Sequence, residues 1–596
     1  MPLRRSIFSA LVASALLGCT LTGAAAEEVA AGSATVKLIA INDFHGNLSP
    51  TGTVSVPDPA NPAATIKEPV GGAAYLATLV KQLQAENPLH VTVGAGDLIG
   101  ASPLNSALFY DEPTIQALSA MRIEYSSVGN HEFDKGKNEL QRLQGGGCAP
   151  QGTPGEDTCI IAGDFNGGRF EYLAANVIDN ETHRPLFPAA AVKNIDVGRG
   201  RTVKIGFIGL VLQETPTIVT PSGVAGLSFI DEAAAANALV PKLKRQGVNA
   251  IVVLIHKGIS TTVPFNDPSC GGASGDLLPI LDKLDRSIAL VVSGHTHQAY
   301  LCKGQGTSND QVTYTSAGSY GRYVSDIDLT IDIGSGAITG IAAQNHLVVN
   351  DTAANPAPEA YPTLAPDRAV AKLVDVYTSA AAPLTNQVIG SITADITRSA
   401  DITAGSSGES ALGDVIADSQ LAATQGETQQ AVVAFMNPGG IRTDLIYSQI
   451  SGGESPGQVT YGELFSVQPF GNSLVTMTLT GAQLYELLGQ QWVGQTSPRI
   501  LQVSEGFTYS WDNSLPQGQS KVVDGSIAIG GVPVDKSASY RITVNNFLAS
   551  GGDNFSVLTQ GTDLVGGAQD IDAMTAYFQA TSPVPPGPKN RIQRVN

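Results

Sequence analysis

The sequence predicts an α/β protein built from two globular units, and three observations predict it. Runs at residues 35–41, 89–93, 250–255 and 288–292 are β-branched, nearly continuous and short, which suits strands buried on both faces of a helix-covered sheet. Fragments rich in Asp, His and Asn follow apolar runs: IND with Asp43, GAGD with Asp97, GNHEFD with Asn130, His131 and Asp134, IH with His256, and GHTH with His295 and His297. The chain has 596 residues, 42% of them hydrophobic and 15% charged, which is too long for one ordinary domain, and an Ala/Pro stretch at 351–366 divides it.

The first unit spans 34–348, with a further buried strand expected at 203–210 and an alternating, edge-like strand at 323–333. In open α/β sheets, sites form beyond the carboxyl ends of the strands, so fragments far apart in sequence can converge there. Five of the eight histidines lie in these fragments, beside aspartates and an asparagine that can supply oxygen ligands. Imidazole with carboxylate suits divalent metals, Zn²⁺ or Mn²⁺ first and Mg²⁺, Co²⁺ or Fe as alternatives. A single His or Asp after a strand is usually a loop or capping residue; the coincidence of five such fragments is what argues for a metal centre. His90, His183 and His346 lie outside any motif and are read as ordinary structural residues.

The order DxH, GD, GNHE, His, GHTH resembles the calcineurin-like metallophosphoesterases, and more specifically the bacterial secreted 5′-nucleotidase and UDP-sugar hydrolase family. The resemblance implies a four-layer α/β/β/α sandwich for the first unit. It also implies one metal held by Asp43, His45, Asp97 and His297, and a second by Asp97, Asn130, His256 and His295. A phosphate ester repels hydroxide, and two cations roughly 3.5–4 Å apart can both generate a nucleophile from water and offset the phosphoryl charge. Asp97 is the natural bridge. His131 matches a residue that binds no metal and touches the phosphoryl group and leaving oxygen, and Asp134 matches its orienting partner. Asp134 could also serve as N-cap of a helix over the following KGKNELQRL.

After the linker, residues 367–380 read as a helix within a connecting segment at 351–385, and the second unit covers 386–596. Its motifs NPGGIRTD, TYGELFSVQPFGN and NNFLASGGDNF resemble the 5′-nucleotidase C-terminal domain, an α+β substrate-binding unit. The resemblance implies that Phe470 and Phe547 sandwich a nucleobase and that Asp553 accepts from ribose hydroxyls. It also makes Arg442 a phosphate or ribose contact, and Asn437 and Asn472 polar contacts to the sugar and base. One departure stands out: where relatives carry arginines before GESALGDVIADS, this chain has SSGES, with Arg398 the nearest arginine upstream.

A net charge of −19 and a pI near 4.8 argue against nucleic acid or anionic membranes as partners, so a small-molecule nucleotide must be drawn in locally by metals and arginines. Arg4 and Arg5, the apolar stretch 7–17 and Ala24–Ala26 read as an export signal ending near Ala26, too short for a permanent membrane span. The Leu16-Leu17-Gly18-Cys19 string offers lipidation at Cys19 as the alternative, and periplasm or exterior as the destination. Removal of the signal leaves Cys148, Cys159, Cys270 and Cys302, and their placement predicts disulfides 148–159 and 270–302, each worth roughly 3–4 kcal/mol on the chain-entropy model. Monomer is the default state. The expected activity is phosphate release from nucleoside 5′-monophosphates, with UDP-sugars or 2′,3′-cyclic nucleotides as further substrates. The rivals are a broad phosphomonoesterase and a non-catalytic nucleotide-binding surface protein.

Overall fold

The computed structural model describes residues 32–352 and 360–596 apart from 162, 401, 403, 404 and 427. The export segment with Cys19, and part of the Ala/Pro linker, lie outside the described residues. Among the described residues, no helix is long and apolar enough to cross a membrane.

The strand Ser33–Ile41 sets the plan of the first domain. Successive side chains point to opposite faces. Val36, Leu38 and Ala40 pack against Phe207, Val252, Leu254 and Val292, whereas Ile39 and Ile41 pack against Leu76 and Val80 of the helix Ala73–Glu86. The strand Ala250–His256 repeats the pattern, with Val252 and Leu254 inward and Val253 and Ile255 against Ala236, Val240 and Leu281. Each strand is therefore buried on both faces, but one face meets a second sheet and only the other meets helices. The result is the four-layer α/β/β/α sandwich.

The first sheet runs Ile338–Leu347, Tyr323–Asp332, Ser33–Ile41, His90–Ala95, Tyr125–Ser127, Glu171–Leu173. The second runs Ala299–Lys303, Thr313–Ala317, Ile288–Ser293, Ala250–His256, Thr202–Val211, Ala190–Asp196. Parallel pairing aligns Ser33–Ile41, His90–Ala95 and Tyr125–Ser127 in one sheet, and Thr202–Val211, Ala250–His256 and Ile288–Ser293 in the other. The polar fragments thus all leave from carboxyl ends of central strands.

One strand expectation is corrected. Tyr323–Asp332 is not an edge: it pairs with Ser33–Ile41 on one side and Ile338–Leu347 on the other. Its alternation arises because Ile327, Leu329 and Ile331 face the inter-sheet core, while Asp326 and Asp328 lie on a face open enough to receive Lys37.

The helix Arg368–Thr385 begins at Asp367, whose carboxylate accepts from the amides of Ala369 and Val370. It lies on the first domain through Lys81–Asp367 at 2.6 Å and Tyr377 against Phe109. The second domain is built on a five-stranded sheet, Gln502–Val503, Val433–Met436, Ser539–Asn545, Ser473–Thr480, Thr562–Gln569, packed against the helices Ala411–Thr424 and Asp570–Thr581. Val433–Met436 and Ser539–Asn545 are parallel, so Asn437 and the 546–555 loop emerge at the same end. Both expected disulfides are formed, with Cα separations of 5.4 Å for Cys148–Cys159 and 5.6 Å for Cys270–Cys302.

Candidate metal centre

All five polar fragments converge in the cleft at the strand ends. Asp43, His45 and His297 present ligand atoms within 4.8 Å of one another, as do Asp97, His256 and His295. Asp97 lies between the groups: its Oδ2 is 2.9 Å from His256 Nε2 and 3.6 Å from His45 Nε2. Its carboxylate is thus within reach of both groups.

Two of the imidazoles are held by backbone carbonyls. His45 Nδ1 donates to the Gly100 carbonyl and His256 Nδ1 to the Ala95 carbonyl, both at 2.8 Å. A carbonyl only accepts, so each ring carries a proton on Nδ1 and turns its Nε2 to the cleft. His45 Nε2 and His297 Nε2 stand 3.1 Å apart, the spacing of two donors that share one cation. Burial, with the neighbouring imidazoles and Arg442 adding to it against Asp97, holds His45 well below its ordinary pKa. Burial beside His256 lowers His295 to about 3. For His256, burial acts downward and the Asp97 and Asp43 carboxylates overcome it, pushing it up to about 10. Two carboxylates call for positive charge at this spot, which a proton or a metal ion supplies.

Two orphaned atoms test the fit to metal. His256 Nε2 is fully buried and, despite its nearness to Asp97, lacks the geometry of a hydrogen bond; Asn130 Oδ1 is likewise buried and unpartnered. Leaving such an atom unpaired costs about 1–3 kcal/mol, so the buried Asn130 Oδ1, in the loop that also carries His131, points to a ligand. The donor set fits divalent cations.

Backbone conformation marks the same residues. Asp43, His45, Asp97, His295 and His297 all have φ between 47° and 75°. Left-handed backbone at non-glycine residues is strained and concentrates at functional sites. Neighbouring glycines permit the crowding: a Cβ on Gly129 would sit 2.2 Å from Asp97 Oδ1, and one on Gly294 2.7 Å from Asp43 Oδ2. Gly129→Ala is expected to displace Asp97 and weaken metal affinity by roughly 10–100-fold, as read by metal titration with the far-ultraviolet spectrum unchanged.

His131 stands at the rim of the cluster. Its Nδ1 is 2.8 Å from Asp134 Oδ2, and its amide donates to Asp97 Oδ1 at 2.9 Å. Burial would lower its pKa, but Asp134 and Asp97 outweigh it and hold it above the usual value. Asp134 does not cap the next helix: Lys137–Gly145 is capped by Gly136, which leaves the carboxylate to the imidazole.

From the second domain, Phe470 stacks on His131 with ring centroids 5.6 Å apart and planes 16° apart, and the Arg442 guanidinium lies 5.6 Å from the same ring. Arg442 is close enough for its charge to act on both His45 and His131. Arg398 donates to the Ile441 and Arg442 carbonyls and so braces that loop. Asp553 is buried; Asn437 donates to its Oδ2 at 2.9 Å and Arg499 pairs with its Oδ1. Phe547 is half-buried in the same loop, against Gly552. Asn472 turns inward, its amide donating to the buried Asp570 at 3.2 Å.

Three residues escaped sequence reading. Glu132 is buried and accepts from the amides of Asp97, Leu98 and Gly129, tying two metal loops together. Tyr320, with φ 60°, donates its amide to the Asp43 carbonyl at 2.7 Å and sets its ring against His45 and His297. Arg499 is the partner of Asp553, 54 residues away. Only Glu132 carried a signal, as the fourth residue of GNHE.

Residues 36–299 match the calcineurin-like phosphoesterase family and residues 388–560 the 5′-nucleotidase C-terminal domain. The chain is 30% identical to the endonuclease YhcR of Bacillus subtilis over 91% of its own length but only 40% of that protein's. It is 30% identical to a cell wall protein of Listeria monocytogenes over 96% of its length and 70% of the relative's. Among solved structures, the 5′-nucleotidase precursor of Thermus thermophilus superposes with a TM-score of 0.71 at 27% identity, covering 94% of this chain and 99% of that one. The chain is therefore a phosphoric ester hydrolase and belongs to the 5′-nucleotidase family, with a calcineurin-like phosphoesterase domain followed by a 5′-nucleotidase C-terminal domain.

Proposed function

We propose that the chain is an exported hydrolase that cleaves nucleoside 5′-monophosphates to nucleoside and phosphate at two divalent cations. The observation that carries this reading is the orphaned pair Asn130 Oδ1 and His256 Nε2, buried in a carboxylate and imidazole cluster that the second domain covers with Phe470 and Arg442.

Asp43, His45, Asp97 and His297 would hold one ion and Asp97, Asn130, His256 and His295 the other. When bound, the pair supplies an activated water and offsets phosphoryl charge. Zn²⁺ or Mn²⁺ suits the mixed imidazole and carboxylate donors best. His131 gives a proton to the leaving oxygen, with Asp134 holding its Nδ1 proton and ring orientation. Arg442 supplies positive charge at the mouth of the cleft, Asp553 accepts from ribose hydroxyls, and Phe547 and Phe470 offer faces to the base. A base on the His131 side of Phe470 displaces that ring from the imidazole. Arg4, Arg5 and the apolar stretch after them support export, as do two disulfides, which persist in oxidising compartments.

Purified protein is expected to release phosphate from AMP with Mn²⁺ or Zn²⁺ and to fall silent with chelator. Metal-loaded protein inactive on AMP, UDP-glucose, cyclic nucleotides and bis(p-nitrophenyl) phosphate alike refutes the reading. Phe547→Ala is expected to weaken AMP hydrolysis by about 1–3 kcal/mol in kcat/KM with p-nitrophenyl phosphate hydrolysis nearly unchanged. Equal losses favour a broad phosphomonoesterase.

A further inference from the structure

We propose that Arg499 is a positioning residue for nucleoside recognition: its guanidinium fixes the buried Asp553 carboxylate so that it accepts from both hydroxyls of a ribose diol. The proposal rests on the reading of Asp553 as the ribose acceptor and names the residue through which that acceptor works.

Asp553 is only 4% exposed. A buried carboxyl without a cation takes up a proton, and the neutral group loses acceptor capacity. Here Arg499 Nη1 meets Oδ1, and Asn437 Nδ2 donates to Oδ2 at 2.9 Å. Burial pushes the carboxyl up, and the Arg499 charge followed by the Asn437 amide acts against it. An ionised carboxylate offers about four lone-pair sites on its two oxygens. Arg499 and Asn437 take one on each oxygen, which leaves one free on each. Two free acceptors on one carboxylate match the two adjacent hydroxyls of a ribose.

The local backbone is made to hold this group. Asp553 and Asn554 both have left-handed backbone, with φ of 56° and 63°. Such strain at non-glycine residues concentrates where a side chain must be aimed. Gln495 Nε2 donates to the Asp553 carbonyl at 2.7 Å. The segment that carries Gln495 and Arg499 is closed on Gln491, whose carbonyl accepts from the Arg499 amide at 2.9 Å and whose Oε1 accepts from the Leu501 amide at 2.7 Å. One segment therefore grips the loop twice, by the backbone through Gln495 and by the carboxylate through Arg499. The backbone grip does not depend on Arg499, so removing the guanidinium frees the carboxylate and leaves the loop in place. Stability alone is a weak reason for the pair, since apolar residues of similar volume often serve as well as a buried ion pair.

Asp553 also stands where a ribose must lie. A Cβ on Gly439 would come 3.8 Å from its Oδ2, and the Gly439 carbonyl accepts from Arg442 Nη1 at 3.1 Å. On the other side, a Cβ on Gly552 would meet the Phe547 ring at 2.6 Å. The carboxylate thus neighbours both the loop of the candidate phosphate contact and one candidate base face. The turn Gly552–Asn554 further lies against Thr215–Ile218 of the catalytic domain.

The test compares AMP with 2′,3′-dideoxyadenosine 5′-monophosphate, which keeps base and phosphate and lacks both hydroxyls, beside p-nitrophenyl phosphate. Full-length, Mn²⁺-loaded wild type is expected to prefer AMP at least about tenfold in kcat/KM, and Asp553→Asn to lose that preference. Arg499→Met is expected to lower kcat/KM for AMP at least about tenfold, through KM, and to leave the other two substrates within about twofold. If Arg499→Met does not fold, Arg499→Gln, which keeps an amide donor without the charge, is read on the same ratio. An Arg499 variant that keeps the AMP preference, where Asp553→Asn abolishes it, overturns the role of Arg499 and leaves the ribose reading standing. Equal losses on all three substrates also overturn it and assign the ion pair to stability alone. Wild type that does not distinguish AMP from the dideoxy substrate, or Asp553→Asn that still does, removes the reading on which the proposal rests.

Discussion

His131→Asn is expected to keep two cations per chain while lowering turnover of AMP by roughly 10²- to 10⁴-fold, the range lost when a positioned proton-transfer group is removed. The two readouts separate because of how His131 is held. Its backbone amide, not its side chain, donates to Asp97 Oδ1, so the bridging carboxylate keeps that bond in the variant. The imidazole is tied by Nδ1 to Asp134 and lies outside both sets of proposed ligands. Although His131 also comes within ligand distance of His45 and Asp97, its pairing with Asp134 supports the acid role. Asp134→Asn is expected to lower turnover in the same direction, because a neutral amide no longer holds the proton on Nδ1. Loss of a cation in His131→Asn, or turnover within about threefold of wild type, contradicts the assignment.

Glu132→Gln is expected to be nearly as damaging by another route. Glu132 Oε2 accepts from the amides of Asp97 and Gly129 at 2.9 and 2.6 Å, and Oε1 accepts from Leu98 at 2.9 Å. Both oxygens are used, so either orientation of a glutamine amide turns its NH₂ onto a backbone donor. One or two buried amides lose their acceptor, a cost of about 2–4 kcal/mol. The loops that lose it carry Asp97 and Asn130. Metal affinity is expected to drop by roughly 10–100-fold, the loss typical when an outer partner of a ligand is removed. Calorimetric melting with and without Mn²⁺, beside metal titration, checks this. A variant with wild-type melting and wild-type affinity contradicts it.

Most of the candidate metal centre was legible in the sequence because its residues sit at the ends of apolar runs, where strand periodicity and residue type point the same way. Asp43, Asp97, His256 and His295 follow strands that the runs predict almost to the residue. The cysteine pairs followed from the even count and their placement. Less legible was anything that depends on three-dimensional backbone geometry. Tyr320 owes its place to a left-handed φ and a hydrogen bond from its amide to the Asp43 carbonyl, 277 residues earlier, and Arg499 to an ion pair across the second domain. The hairpin at 53–69, although rich in proline, pairs over six register positions and walls a cavity beside His297. Tyr323–Asp332 misled because alternation reports a face open to solvent, which an interior strand at the rim of a helix layer also has. The candidate substrate side chains were read from motifs, but their surroundings were not legible: Phe470 lies on His131, and Asn472 is committed to Asp570.

Metal analysis of the purified chain, paired with AMP hydrolysis before and after chelation, tests the central claim most directly. The account predicts two cations per chain in wild type and fewer in Asp97→Ala, with turnover that vanishes on chelation and returns with Mn²⁺ or Zn²⁺. Full turnover with a single cation, or hydrolysis that survives removal of both, would contradict it.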